Sequence, residues 1–467
     1  MFKKISPSII LICISFILSI LITNYYLKHH DKIIEDEYGT YHQMVKNDTL
    51  RYLSHGAEIK KDLDNEIDFF ETGREHFTKY LPPRIAAAIF YFLDIDLFKD
   101  FQLKEINTGI FKPYLYFQCL VFYLSLIFFF LMTKKKFDNT FLFFALLFFA
   151  LEPNIIQYHG TFWSESYFFS FQIIILALIL SSQKNFLNYF FIGIFIGFLC
   201  LQKQYAIYYI FPIFIYYFIF YKKKIILNFS ILLTAFFATQ FFVGYNNLKR
   251  SGHFYFFAND NNIAIHLDLV PKVINRIEGY SSNEFVVKEA EAMKQWLILN
   301  SIKFREDPKN KDHYMNYRKN IINEKDKIRF DKEIKNRTIN YFKEYPTSFV
   351  TRIIKNGFHI ILLNPFHIYS DHNFVSGEVY YVSKKHDDLL KYRMIYTFVM
   401  YLICFIGFIY MLREKNYKLL TLLILSIMYF YVLSFWHGNT RYFMPVYIYF
   451  GFFFAKFFEI FYSKIKN

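Results

Sequence analysis

Three short stretches carry charge where their surroundings do not. Glu35-Asp36-Glu37-Tyr38-Gly39-Thr40-Tyr41 is an acidic cluster just past an N-terminal apolar run. Lys203 stands within Phe198-Leu-Cys-Leu-Gln-Lys-Gln-Tyr-Ala-Ile-Tyr-Tyr-Ile-Phe211, a cation in a tight turn between two apolar runs. His437-Gly-Asn-Thr-Arg441-Tyr442 is another short cationic turn. A carboxylate can take the proton from an attacking hydroxyl. Lys and Arg placed beforehand can hold a departing phosphate as its charge develops. A phosphate needs little acid catalysis to leave, so a base and several cations are enough for such a transfer. Glu165, with Glu152-Pro153 and His159 nearby, is a fourth feature that opposes its apolar setting.

Each stretch also has a plainer account. Carboxylates favour the first turn of a helix, so a solvated helix start explains Glu35–Glu37 on composition alone. Lys203 fits a snorkelling lysine at a helix end, although an ionisable group at membrane depth is costly and usually faces a partner or a cavity. The turn at 437–442 fits an ordinary loop with one interfacial arginine and tyrosine. Glu165 begins an apolar run, where serving the helix dipole and serving chemistry weigh equally. His367 and Asp371-His372 hint at metal, but their spacing matches no strong ligand motif. No phosphate-binding glycine loop, dinucleotide fingerprint or zinc-protease helix motif is present.

The elements that must position these residues are apolar. Of the 467 residues, 55% are hydrophobic and 23% aromatic. They gather in runs near twenty residues, the length a helix needs to cross about 30 Å of hydrocarbon. The runs are 8–27, 113–132, 139–158, 164–182, 187–202, 204–221, 225–245, 392–412, 418–436 and 441–462. Backbone polar groups in lipid must be satisfied internally, so each run reads as a helix. The stretch 348–363 carries Arg352 and Lys355 and reads as an amphipathic helix at the interface. Lys3, Lys4, Lys134–Lys136, Lys184, Lys222–Lys224, Arg413, Lys415, Lys418, Lys464 and Lys466 then fall on one side, and the short loops opposite hold only Lys203 and Arg441. By the positive-inside rule both termini are cytoplasmic.

The expected architecture is an all-α polytopic membrane protein of about ten spans, with a small, mainly helical extracytoplasmic domain. Residues 1–27 form an anchor helix, 28–112 a first outer loop broken by Pro82-Pro83, 113–245 a bundle, 246–347 the outer domain, 348–391 the interfacial helix and loop, and 392–467 the last spans. Lys3 and Lys4 precede a run too long for a signal core, so a retained anchor is expected.

The net charge of +15 is the weaker clue, since Lys, Asn, Ile, Phe and Tyr are together abundant as in an AT-rich genome. The positive charge is spread over short loops, which argues against nucleic acid. Cys13, Cys119, Cys200 and Cys404 all lie inside apolar runs, which leaves the loops no disulfide framework.

An ordered series of short matches resembles the GT-C glycosyltransferases that use polyprenyl-phosphate sugars, in particular the protein O-mannosyltransferase and lipid A aminoarabinose transferase branch. Asp36-Glu37 with Tyr41 is similar to the family's Asp-Glu-x-x-Tyr element, and Lys79-Tyr-Leu-Pro82-Pro83-Arg84 to its later Lys-Pro-Pro element. Pro153 and Glu165 fall where it has a proline and then a glutamate. Gly197-Phe-Leu-Cys-Leu-Gln-Lys203 resembles its glycine-rich span ending in a cation, and Phe342-Lys-Glu-Tyr-Pro346 the approach to its interfacial helix. His437-Gly-Asn-Thr-Arg441-Tyr442, with Pro445 after it, resembles its late turn. Arg84 stands where a small or aliphatic residue is common, and Gln202 where Thr or Ser is usual.

The resemblance implies a GT-C-like bundle and an inverting transfer at the outer face of the plasma membrane, from a polyprenyl-phosphate sugar to a hydroxyl of a glycan, lipid or protein. On that model Asp36 is the general base, and Glu37 supports it or helps to hold a divalent cation, magnesium or manganese. Lys203, Arg441, Lys79 and Arg84 hold the phosphate, with Tyr41, Glu165, His437 and Tyr442 in support. The outer domain shapes the acceptor side. The main rival is a flippase for lipid-linked saccharides or another multi-pass transporter, but related halves, common in transporters, are not visible. A polysaccharide polymerase or ligase would lack the Asp-Glu pair after the first span, and a non-catalytic lipid-binding relative is a third alternative.

Overall fold

Prolines and asparagines start several helices. A computed structural model of the chain describes residues 6–29, 33–36, 39–42, 48–72, 80–95, 111–160, 164–181, 185–221, 225–252, 254, 256, 260–279, 282–305, 317–318, 320–362, 384–437 and 443–466. These are nearly all helical. Helix α1 is Pro7–His29, α2 Asp48–Asp64 and α3 Leu81–Phe92. Pro82 and Pro83 occupy the first turn of α3, where no backbone N–H is needed. They begin a helix rather than break a loop, and the run Ile85-Ala-Ala-Ala-Ile-Phe90 continues it. Helices α2 and α3 pack together inside the segment read from sequence as an outer loop.

The bundle follows as α4 Lys112–Thr133, α5 Asn139–Leu151, the one-turn α6 Pro153–Ile156 with a 3-10 turn Gln157–Gly160, α7 Glu165–Leu180, α8 Phe186–Gln202, a 3-10 turn Gln204–Tyr209, α9 Ile210–Phe220 and α10 Ile225–Ser251. The outer segment supplies α11 Asp260–Glu278, α12 Ser282–Leu299 and α13 Glu324–Glu344, then α14 Pro346–Leu362. The chain closes with α15 Lys384–Arg413, α16 Tyr417–His437 and α17 Tyr447–Lys466.

The protein is a polytopic membrane protein. Among the described residues six helices, α1, α4, α10, α15, α16 and α17, are long and apolar enough to cross a membrane. The pair α5 and 153–160 makes a further apolar length bent by 43°. The bend falls at Glu152-Pro153, where proline removes a helical hydrogen bond. The other three apolar runs become α7, α8 and the 204–220 segment, each below 18 residues. At 1.5 Å per residue, a helix of α7's length extends only about 24 Å.

Helix α7 is the hub. Every residue from Glu165 to Leu180 is buried except Ile174, as befits a helix apolar on all sides. It packs against α4 and α8. Lipid gives little hydrophobic drive between spans, so close approach of small residues matters more. A Cβ at Gly193 would meet Leu232 O at 2.2 Å, and one at Gly197 would meet Thr239 Oγ1 at 1.8 Å. Gly193 lets α8 approach the backbone of α10, and Gly197 makes room for the Thr239 side chain.

The outer helices have cores of their own. Met293, Leu297, Ile321, Phe330 and Ile334 form one, and Val270, Ile274, Phe285 and Phe349 another. Arg318 grips the buried Asp331 through two hydrogen bonds, at 2.6 and 2.9 Å. Helix α14 joins this unit to the bundle, and it is not among the helices able to cross.

Candidate functional site

Lys203 ends α8 and turns inward. It leaves the helix in an extended conformation, with φ −149° and ψ 113°, and the 3-10 turn that follows carries the chain into α9. Its Nζ lies 2.5 Å from Glu165 Oε1 at the start of α7. The two side chains are 3% and 1% exposed. This is a buried ion pair, not a lysine reaching for solvent. The rings of Phe168 and Tyr205 stand 5.8 and 5.9 Å from the ammonium.

Polar groups surround the pair. Ser164 and Ser166 flank Glu165, Gln202 precedes Lys203, and all three are fully buried. The two hydroxyls and both amide atoms of Gln202 have no hydrogen-bond partner among the described residues. A buried polar group left unmatched costs about 1–3 kcal/mol, so such a group in a native fold calls for an explanation. Gln202 appeared in the sequence only as a departure from a family pattern, and the two serines gave no signal.

The second element of the first outer segment meets this corner directly. Tyr80 N donates to Leu201 O at 3.1 Å, which ties the start of α3 to the end of α8 two residues from Lys203. Arg84, one turn into α3, lays its guanidinium over the Tyr80 ring at 3.6 Å. The last cationic turn leads to the same hub. Gln172 Nε2, two turns along α7 from Glu165, donates to Pro445 O at 2.8 Å. Gln157 Nε2 lies 4.0 Å from Met444 Sδ.

Two further polar anchors appeared in the sequence only as neighbours of Glu165. Glu152 accepts from Tyr396 Oη at 2.5 Å and from Asn154 Nδ2 at 2.7 Å, which joins the bend after α5 to α15. His159 Nδ1 lies 2.7 Å from Ser19 Oγ, which joins the 3-10 turn to α1. Ser15, Ser19 and Thr23 are all buried on one face of α1. Their spacing of four was the available signal.

Glu35 and Asp36 end a strand rather than start a helix. Strand β1 Ile33–Asp36 pairs antiparallel with β2 Gly39–His42, and Asp36 is opposite Gly39 at the end of the hairpin. Glu37, Lys79, Arg441 and Tyr442 lie outside the described residues, as do the side chains of Asp36, Tyr41 and His437. His367, Asp371 and His372 lie outside them too. A small cleft lined by Tyr189, Tyr217, Tyr221, Asn228 and Phe229 is at the far end of α8 from Lys203 and holds no charged group. Among the described residues no three His, Cys, Asp or Glu side chains gather as a metal site would require.

No protein-family model matches the chain, and no curated protein does. Solved structures do. The chain is similar to an archaeal oligosaccharyltransferase in outline. That structure is AglB from Archaeoglobus fulgidus in complex with an inhibitory peptide and a dolichol-phosphate, at 13% identity and a TM-score of 0.47, over 97% of this chain and 50% of that one. The apo form of the A. fulgidus oligosaccharyltransferase gives 12% identity and a TM-score of 0.45, over 97% and 51%. The chain spans about half the length of each.

Proposed function

We propose that the protein is a membrane glycosyltransferase of the GT-C kind. It moves a sugar, with inversion, from a polyprenyl-phosphate donor to an acceptor hydroxyl on the extracytoplasmic face, and its termini are cytoplasmic. The observation that carries this reading is the corner around Lys203 and Glu165. There a charged pair, three unmatched buried polar side chains and the start of α3 come together beside the hub helix.

In this reading the donor's lipid chain lies in the bilayer and its phosphate comes to the Lys203 corner. Glu165 keeps Lys203 charged and aimed. The ammonium is then shared between carboxylate and phosphate as the bond to the sugar breaks, and the amide of Gln202 and the serine hydroxyls supply hydrogen bonds. Arg441, Lys79 and Arg84 add positive charge. Asp36, at the tip of the hairpin after α1, takes the proton from the acceptor hydroxyl, and Glu37 supports it. The donor and acceptor chemistry rests on the sequence elements quoted above together with this geometry.

The test is transfer from a labelled polyprenyl-phosphate sugar in proteoliposomes holding the full chain. Asp36→Asn is expected to lower transfer by roughly 10²–10⁴, the usual worth of a positioned base. Transfer at the parental rate removes Asp36 from that role. Movement of the labelled lipid across the bilayer without transfer favours the flippase instead.

A further inference from the structure

Lys203 is caught between the end of a helix and the start of a turn. Its N–H bonds to Leu199 O of α8 at 2.8 Å, and its carbonyl accepts from Ala206 N at 3.0 Å. The second bond opens the 3-10 turn Gln204–Tyr209. Where the side chain leaves the backbone therefore depends on how that turn is set. Any rotation of the turn is magnified at Nζ, which stands at the end of a flexible four-carbon stem.

Two helices from the C-terminal end of the chain grip the turn. Tyr429 Oη on α16 donates to Tyr205 O, two residues after Lys203. Tyr209 Oη, at the last position of the turn, lies 2.5 Å from Tyr449 Oη on α17 and 3.2 Å from Ser426 Oγ on α16. Aromatic rings fill the same gap. Phe168, beside the Lys203 ammonium, has its ring 6.1 Å from that of Tyr205 and 5.9 Å from that of Phe430. The Tyr429 ring lies 5.5 Å from that of Tyr209. A hydrogen bond between helices in a membrane protein adds little stability, but it is directional. The bond from Tyr429 is thus better suited to setting the turn than to holding the bundle together.

We propose that Tyr429 is a positioning residue for the lipid-linked phosphate. Its hydroxyl fixes the turn at Tyr205 and, through the turn, aims Lys203 at the Glu165 corner. This rests on the reading that Lys203 holds the donor's phosphate. Tyr429 itself touches neither donor nor acceptor.

The test is binding of undecaprenyl phosphate, a donor lipid without its sugar, to the full chain in detergent. Tyr429→Phe keeps the ring and removes only the hydroxyl. It is expected to weaken binding roughly threefold, the order of one interhelical hydrogen bond. Tyr401→Phe is the control and should bind as the parent does. Tyr401 Oη donates to Ile361 O at 3.2 Å, so that variant loses the same kind of bond between α15 and α14. In a Lys203→Ala background Tyr429→Phe should weaken binding no further. Parental binding by Tyr429→Phe overturns the proposal. An equal loss with and without Lys203 also overturns it, since the bundle would then have loosened in general. If Lys203→Ala binds as the parent does, the reading beneath the proposal fails and Tyr429 falls with it. If Lys203→Ala binds weakly and Tyr429→Phe does not, Tyr429 alone is removed. Transfer from the labelled donor gives a second readout, in which KM for the donor should rise by the same factor with kcat held.

Discussion

Glu165 and Lys203, 38 residues apart in sequence, meet at 2.5 Å in the interior of the bundle. A buried pair of this sort gains little net stability over an apolar one, because both charges must leave water. Breaking it is another matter, since one charge is left behind.

Glu165→Gln and Lys203→Met, made singly, should each lower stability by about 3–5 kcal/mol, and the double variant should regain much of that. Thermal unfolding of the purified protein in detergent, set out as a double-mutant cycle, reads the coupling directly. Additive losses would mean that the two side chains do not interact.

Lys203→Ala should weaken donor binding more than acceptor binding. Steady-state transfer with each substrate varied separately is the measurement. A raised KM for the lipid-linked donor is expected, and an unchanged one would take Lys203 out of phosphate recognition.

The α8–α10 contact leaves no room for larger side chains. Gly193→Leu and Gly197→Val should force the helices apart and cost at least the 1–3 kcal/mol typical of overpacking. Size-exclusion profiles of the two variants should show loss of the folded monodisperse species. Parental profiles would contradict the close approach of α8 and α10.

In the outer helices, Glu289 accepts from Tyr341 Oη at 2.7 Å and lies 3.2 Å from His266 Nε2 and 3.3 Å from Arg337. Burial alone would raise the Glu289 carboxyl, but the bonds from His266 and Tyr341 and the Arg337 charge hold it below the usual carboxylate range. A group whose folded pKa is depressed stabilises the fold above its unfolded value and loses that contribution as pH falls through the folded one. Hydrogen exchange in α12 and α13 should therefore stay slow at neutral pH and accelerate below about pH 4. Glu289→Gln should flatten the acid response; the same response in that variant would assign it to another group.

The apolar runs made the membrane class readable, because a length near twenty has few other uses. What they hid was where one run becomes two pieces. The bend at Glu152-Pro153 falls within the run 139–158 and the 3-10 turn after Lys203 within the run 204–221, each read as one helix, and hydropathy does not register a change of direction. The Glu165 and Lys203 charges were visible in the sequence. Their pairing was not, since residues on consecutive antiparallel helices meet by packing and by no local pattern. The hairpin at 33–42 was missed for a related reason. Two strands of four residues are too short for alternation to outweigh a cluster of acids, which reads as well as a helix start. Ser164 and Ser166 left no trace, because a serine's role in a bundle depends on what it faces.

The envelopment of α7 has a further consequence. Because protein encloses nearly all of its length, its first turn cannot shift without disturbing α4 and α8 together. Bilayer thickness and lipid composition should therefore reach Glu165 only weakly. Any tuning toward a new substrate has to be written in the loops that arrive at this fixed post, where substitutions leave the bundle's interior intact.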